Sequence, residues 1–258
     1  MKQTLLIILV LSLAVSANAK VVSQSVEYNH NGTVLEGYLA YDDAVKGKQP
    51  GVLVVHEWWG LNDYVRDRVE KLAKLGYVAF ALDMYGKGIW TKEPQKAKEL
   101  SGHLRGKPIM RQRASAGLEI LRNNSRVDPG RIAAIGYCFG GTTVLELAYS
   151  GADLAGVVSF HGGLTAAKAD DRNRIKARFL ICHGADDGFI SAEAIQAFQD
   201  GMRKSGADWQ MIYFGGAVHS FTNPAADQVG IKGIAYNKKA DERSWKFMQA
   251  FFVEIFSN

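Results

Sequence analysis

The sequence predicts an α/β domain in which a mostly parallel sheet carries helices on both faces, a three-layer sandwich. Three observations carry that expectation. Strand-like and helix-like stretches alternate from Gly51 to the end of the chain. Strand stretches such as Gly51-Val52-Leu53-Val54-Val55 are wholly apolar, as suits strands covered on both faces. The apolar run Ile132-Ala133-Ala134-Ile135 passes into Gly136-Tyr137-Cys138-Phe139-Gly140-Gly141, and a largely apolar stretch over 142–149 follows: a strand, a tight turn and a helix.

Taken in order, residues 34–41 alternate well enough for an early strand, and Asp42-Asp43 begins a turn. After the Gly51 strand, residues 64–75 repeat apolar groups at helical spacing, Gly76 closes the helix, and 77–82 is the next strand, completing a βαβ unit. Residues 83–108 are the least regular part, with four glycines around a Lys-rich helical piece near 93–104. An insertion there is a candidate lid or pocket wall. A helix over 109–121 and an Asp128-Pro129-Gly130 turn precede the Ile132 strand. Further strands are expected at 154–160, 177–182 and 209–214, with helices at 192–206 and 240–256.

Residues 1–19 read as a signal peptide: Lys2 supplies the charged start, residues 4–15 the apolar run, and Ala17-Asn18-Ala19 the small-residue cleavage pattern. The run is short for a membrane span and no second one follows. The expectation is an exported protein, periplasmic in a Gram-negative host, whose residues 20–258 form one domain, a monomer or a small homo-oligomer. The full chain carries 31 Lys and Arg against 26 Asp and Glu, a net charge of +5. The positive charges are interspersed with acids, which argues against nucleic acid as a partner.

A cysteine between glycines on a strand-to-helix turn is the pattern that raises a nucleophile, because such a turn leaves no room for side chains at its flanks. A thiol nucleophile needs a base and an orienting acid. Asp187 follows the strand that ends near Cys182, and His219 follows the 209–214 strand, so nucleophile, acid and histidine come after successive strands. Asp186 competes with Asp187; the spacing to Ile190 favours Asp187 and leaves Asp186 as a turn cap. At the end of the Gly51 strand, His56-Glu57-Trp58-Trp59-Gly60 puts an acid and two large aromatics before a glycine. The backbone N–H of Trp58 can pair with that of Phe139 to receive an oxyanion, with Glu57 beside Cys138. His56, His161 and His183 read most simply as core-edge histidines bonded to backbone, and His30 and His103 as surface residues. No metal-ligand spacing is present, so neither metal nor cofactor is expected.

These motifs resemble the dienelactone hydrolase family within the α/β-hydrolase fold. The match runs from about Val34 to the C-terminus through His56-Glu57-Trp58-Trp59-Gly60-Leu61-Asn62, Asp83-Met84-Tyr85-Gly86, the cysteine hexapeptide, Asp187-Gly188-Phe189 and His219-Ser220-Phe221. The resemblance implies a Cys138-His219-Asp187 triad cleaving small carboxylic esters or lactones through a thioester. It also implies that Glu57 interacts with the resting cysteine until substrate rearranges the pair. Trp59, Tyr85, Asn223 and Arg105 are the candidates for substrate contact. Dienelactone-specific members carry an arginine four residues beyond the histidine, where this chain has Asn223, and Arg105, Arg111 or Arg113 is left to compensate.

Two other readings remain open on the sequence. Cys138 and Cys182 are the chain's two cysteines, and in an oxidising compartment they form a redox-responsive pair if they lie close enough. The chain would otherwise be a non-catalytic binding protein on a hydrolase fold.

Overall fold

The computed structural model describes residues 20–257; the expected leader, residues 1–19, lies outside them. The strands are β1 (Val21–His30), β2 (Thr33–Asp42), β3 (Gln49–Val55), β4 (Val78–Leu82), β5 (Val127–Tyr137), β6 (Gly156–Phe160), β7 (Arg178–Gly184) and β8 (Trp209–Phe214). They form one sheet in the order β1-β2-β4-β3-β5-β6-β7-β8. β1 pairs antiparallel with β2, and β2 antiparallel with β4; every other neighbouring pair is parallel. The helices are α1 (Asp63–Lys74), α2 (Pro94–Gly102), α3 (Pro108–Arg122), α4 (Phe139–Tyr149), α5 (Ala192–Ser205) and α6 (Lys238–Phe256).

Side chains alternate across each strand, and this divides the core in two. Leu53, Val55, Ala134, Phe179 and Ile181 point to the face covered by α3, α4 and α5, where Leu118, Leu121, Leu147 and Phe198 meet them. Val52, Val54, Ile135, Leu180 and Cys182 point to the opposite face, where α1 and α6 bring Val65, Val69, Leu72, Met248 and Phe252. Each Val, Leu, Ile, Met or Phe side chain so buried stabilises the fold by about 1.5–3 kcal/mol. The two faces explain the uninterrupted apolar strands, because neither side of the central sheet meets water.

Two local features differ from the sequence expectation. β1 is an additional edge strand whose side chains are mostly exposed or half-buried, so its residues lack the apolar alternation that marks a strand. The available signal was Asn31-Gly32, a two-residue hairpin turn with both φ angles positive, 50° and 78°. The Asp128-Pro129-Gly130 stretch is taken into β5 as an irregularity, where its register with β3 shifts and Asp128 Oδ1 accepts the Gly130 N–H at 3.1 Å.

Parallel pairing brings the C-terminal ends of the central strands to one edge. Val55 lies beside Gly136, Tyr137 beside Phe160, and Phe160 beside Cys182. Loops leaving these ends therefore converge in space, although their residues are far apart in sequence. The irregular segment after β4 joins this edge through an antiparallel bridge between Trp90 and Gly60.

Candidate active site

Cys138 is the single residue between β5 and α4, and its φ and ψ are 53° and −112°. A positive φ is strained for a residue with a Cβ, and the surroundings must hold it. The Cys138 N–H does so by donating both to Phe160 O at 3.0 Å and to His161 Nδ1 at 3.2 Å. The glycines follow from close approach. A Cβ on Gly136 would overlap the Gly140 carbonyl, one on Gly140 would overlap the Val55 carbonyl, and one on Gly141 would lie 2.6 Å from Ser159 Oγ. The N-terminus of α4 abuts the thiol, so the positive end of its dipole favours negative charge there. Phe139 N–H is among the first amides that a helix leaves without an internal acceptor.

His219 lies in the loop after β8, fixed on both sides of its backbone by Gly233 O at 3.1 Å and Ala235 N–H at 3.2 Å. Its Nδ1 is 2.8 Å from Asp187 Oδ2. Asp187 is buried, and its other oxygen accepts the Phe189 N–H at 3.0 Å; Asp186 is exposed. Asp187, not Asp186, therefore meets the histidine. Burial works against a charged His219, but the facing Cys138 and Asp187 outweigh it and push the imidazole pKa up to about 10.

Glu57, at the end of β3, is 1 % exposed. Its Oε1 accepts the Ser220 hydroxyl at 2.9 Å and its Oε2 the Asn223 amide at 2.6 Å. Burial raises the carboxyl pKa, while Asn223, Ser220 and the charge on His219 oppose that rise. The resemblance implied a resting contact between Glu57 and Cys138. Here Glu57 is engaged instead by the loop that follows His219, because Ser220 and Asn223 offer one donor to each carboxylate oxygen in a dry site, and Cys138 pairs with His219.

Cys138 and His219 open into a cavity of about 270 Å³. Trp58, Phe189, Ile190, Ile231 and Ile234 give it apolar walls, and Arg105 is its one charged side chain besides the histidine. The Arg105 guanidinium lies 5.2 Å from the centre of the Phe139 ring. A larger groove of about 440 Å³, lined by Asp83, Trp90 and Asn223 among others, contains neither Cys138 nor His219. Chemistry by the thiol therefore belongs to the smaller cavity.

Of the four candidates for substrate contact, Arg105 alone lines that cavity. Trp59 and Asn223 face a separate hollow of about 220 Å³. The Tyr85 hydroxyl donates to Trp58 O at 2.9 Å, and its ring packs against His56 and Phe139. Arg111 is held by Glu146 and Asp171, and Arg113 by the Met84 and Tyr85 carbonyls.

His56 bonds backbone through both ring nitrogens, as expected of a core-edge histidine. His103 is exposed and His30 half-buried at the end of β1. No cluster of three or more metal-ligating side chains occurs among the described residues. Both cysteines are free. They point to opposite faces of the sheet, and β5 and β7 are separated by β6. Two inter-strand steps amount to about 10 Å, beyond the ~7 Å limit for bridging Cα atoms, so this geometry disfavours a Cys138–Cys182 pair.

Sequence reasoning missed Ser220 and Thr222, although both lie within three residues of His219. It also missed the cavity walls Phe189, Ile190, Ile231 and Ile234, and the bond from His161 to the Cys138 backbone. Ile231 and Ile234 sit in the long connection between β8 and α6, where no periodicity marks which residues turn inward.

An eight-stranded, mostly parallel sheet between helical layers, with a strained residue raised between strand and helix, defines the α/β-hydrolase class. Within it the chain belongs to the dienelactone hydrolase family, whose model matches residues 35–256. Protein usf of Aquifex pyrophilus is 28 % identical over 90 % of this chain and 99 % of its own length. A protein of Aquifex aeolicus provisionally named a carboxymethylenebutenolidase is 28 % identical over 90 % of this chain and 98 % of its own. Among solved structures, one called m3DLH superposes with a TM-score of 0.89 at 42 % identity, covering 92 % of this chain and 99 % of that one. A dienelactone hydrolase-like promiscuous phosphotriesterase from metagenomic libraries superposes with a TM-score of 0.88 at 41 % identity and the same coverage.

Proposed function

We propose that the chain hydrolyses small carboxylic esters or lactones, with Cys138 as nucleophile, His219 as its base and Asp187 as the orienting acid. The observation that carries this reading is the raised Cys138 facing the bonded His219–Asp187 pair at the end of an apolar cavity. In the reaction the Cys138 thiolate attacks the acyl carbon, and the carbonyl electron pair moves onto oxygen. The N–H groups of Phe139 and Trp58 receive that oxyanion. Its collapse expels an alkoxide, which takes a proton from His219, and leaves a thioester on Cys138. Water then gives a proton to His219 and adds to the thioester; a second collapse releases the acid and restores the thiolate. In a lactone the alkoxide stays tethered to the acyl chain, so one hydroxy or keto acid results. Neither metal nor cofactor enters this sequence.

Arg105, which lines the cavity, would meet an anionic substituent on the substrate, and the aromatic and aliphatic walls suit a small apolar acyl or alkoxy group. Phosphotriester hydrolysis is a second reading, supported by 41 % identity to the promiscuous phosphotriesterase. The same thiolate would attack phosphorus in place of carbon. We infer further that the protein acts outside the cytoplasm: Lys2, the apolar run over 4–15 and Ala17-Asn18-Ala19 have the pattern of an export signal, and β1 begins at Val21, beyond the cleavage point that pattern marks.

The test is hydrolysis of p-nitrophenyl acetate, a simple enol lactone, dienelactone and a p-nitrophenyl phosphotriester by protein starting at Lys20. Turnover of carboxylic esters that disappears on thiol alkylation and in Cys138→Ala supports the proposal. Turnover that survives both treatments rejects Cys138 as nucleophile, and binding without turnover favours a non-catalytic role.

A further inference from the structure

We propose that His161 is a positioning residue of the reaction, a neutral imidazole locked in one tautomer that fixes the backbone of Cys138. The inference rests on the reading of Cys138 as nucleophile. His161 follows β6, is fully buried, and itself has a positive φ of 40°. Its Nδ1 lies 3.2 Å from the Cys138 N–H. A backbone amide can only donate, so Nδ1 carries no proton and the ring's one proton sits on Nε2. That nitrogen lies 2.7 Å from Thr222 Oγ1, to which it donates.

Thr222 is held in turn from two helices. Its hydroxyl bonds the Tyr64 hydroxyl at 2.6 Å, and its carbonyl accepts from Arg68, which pairs with Asp241 of α6 at 2.7 Å. The elbow is thus tied through His161 and Thr222 to α1 and α6 on the far face of the sheet. Burial, with the charges of His219 and Arg68, holds the His161 pKa well below the ordinary histidine range.

Neutrality matters because the His161 ring meets the His219 ring edge-on, with centroids 5.4 Å apart. His219 gains its proton from Cys138, and a second imidazolium beside it would oppose that transfer. The backbone bond matters because Cys138 sits in a strained conformation at the junction of β5 and α4. The same residue carries the thiol that must face His219, and the next amide, Phe139 N–H, must face the oxyanion. A shift of the Cys138 peptide misaligns both.

Two pairs of variants separate positioning from mere packing. Asparagine tolerates positive φ and places an oxygen near the position of Nδ1, so His161→Asn keeps the acceptor for Cys138; His161→Gln reaches Thr222 and loses that acceptor. Thr222→Val removes the acceptor that holds the proton on Nε2, whereas Thr222→Ser retains it and leaves the backbone unchanged. For each variant kcat and KM on p-nitrophenyl acetate, the alkylation rate of Cys138 by iodoacetamide read by mass, and the thermal midpoint are measured. His161→Asn and Thr222→Ser are expected within about threefold of the parent, and His161→Gln and Thr222→Val to lose about tenfold or more in kcat and alkylation rate at unchanged KM. Equal behaviour within both pairs, or losses that simply follow the thermal midpoint, overturns the proposal. If the parent turns over no ester, the function reading fails on its own, and alkylation rates still decide the role of His161.

Discussion

At the scale of single residues, the site depends on how charge is shared between Cys138, His219 and Asp187. The His219 pKa rises from 6.5 to about 10 because its protonated form is favoured by Cys138 and Asp187 against the cost of burial. A group raised in the folded state adds stability fully present below its unfolded pKa, here 6.5, and lost as pH rises through about 10. On the proposed mechanism catalysis follows the same charge, so kcat/KM is expected to hold on the alkaline side until pH approaches 10. Asp187→Asn removes one of the groups that raise this pKa, and the alkaline limb should move to lower pH while kcat falls by about two orders of magnitude or more. A pH profile of both proteins checks this; an unmoved limb would mean that His219 does not govern it. Cys138, Asp187 and His219 were legible in the sequence because each belongs to a short motif at a strand end. The engagement of Glu57 was not, since nothing in the order of residues tells whether its carboxylate turns to a thiol or to Ser220 and Asn223.

At the scale of elements, β5 and α4 approach so closely that glycine is required where they cross. Gly140→Ala places a methyl against the Val55 carbonyl, which cannot move without the central strand. A loss of about 3 kcal/mol is expected for such overpacking, read as a lowered denaturant midpoint. Gly188→Ala, in the loop beside Asp187, meets nothing within 4 Å and should leave the midpoint unchanged. Similar midpoints for the two variants would remove the steric account of the elbow. The strands buried on both faces and the amphipathic helices were readable because apolar runs and 3.6-residue spacing state their own burial. β1 was not, for it lies at the sheet edge and its polar side chains carry no such signal. The cavity walls were hidden for a related reason: Ile231 and Ile234 come from irregular chain whose inward residues are chosen by the loop path.

At the scale of the whole molecule, Arg68 joins parts of the chain that share no strand. It is 4 % exposed, donates to the Thr222 carbonyl after β8, and pairs with Asp241 in α6. Its guanidinium also lies 5.4 Å from the Trp245 ring and 5.6 Å from that of Tyr137. Arg68→Met is expected to cost about 3 kcal/mol, because Asp241 and the Thr222 carbonyl lose their donor while the volume is nearly kept. Chemical denaturation measures the loss, and an unchanged stability would show that water replaces the guanidinium without penalty. The sequence placed Arg68 on a helix, but no local pattern announced a charge buried between α1 and α6.

The sheet that carries Cys138 on one face and Cys182 on the other has a further consequence for durability. It works as a partition between two thiols of unlike fate. Cys182 is sealed in the core, where burial raises its pKa and keeps it in the unreactive thiol form. Cys138 can then be spoiled only by what diffuses through the mouth of its own cavity. If the thiol works as proposed and in an oxidising compartment, its working life is set by the size and polarity of the oxidants around it, because the second sulfur stands behind a wall of strands.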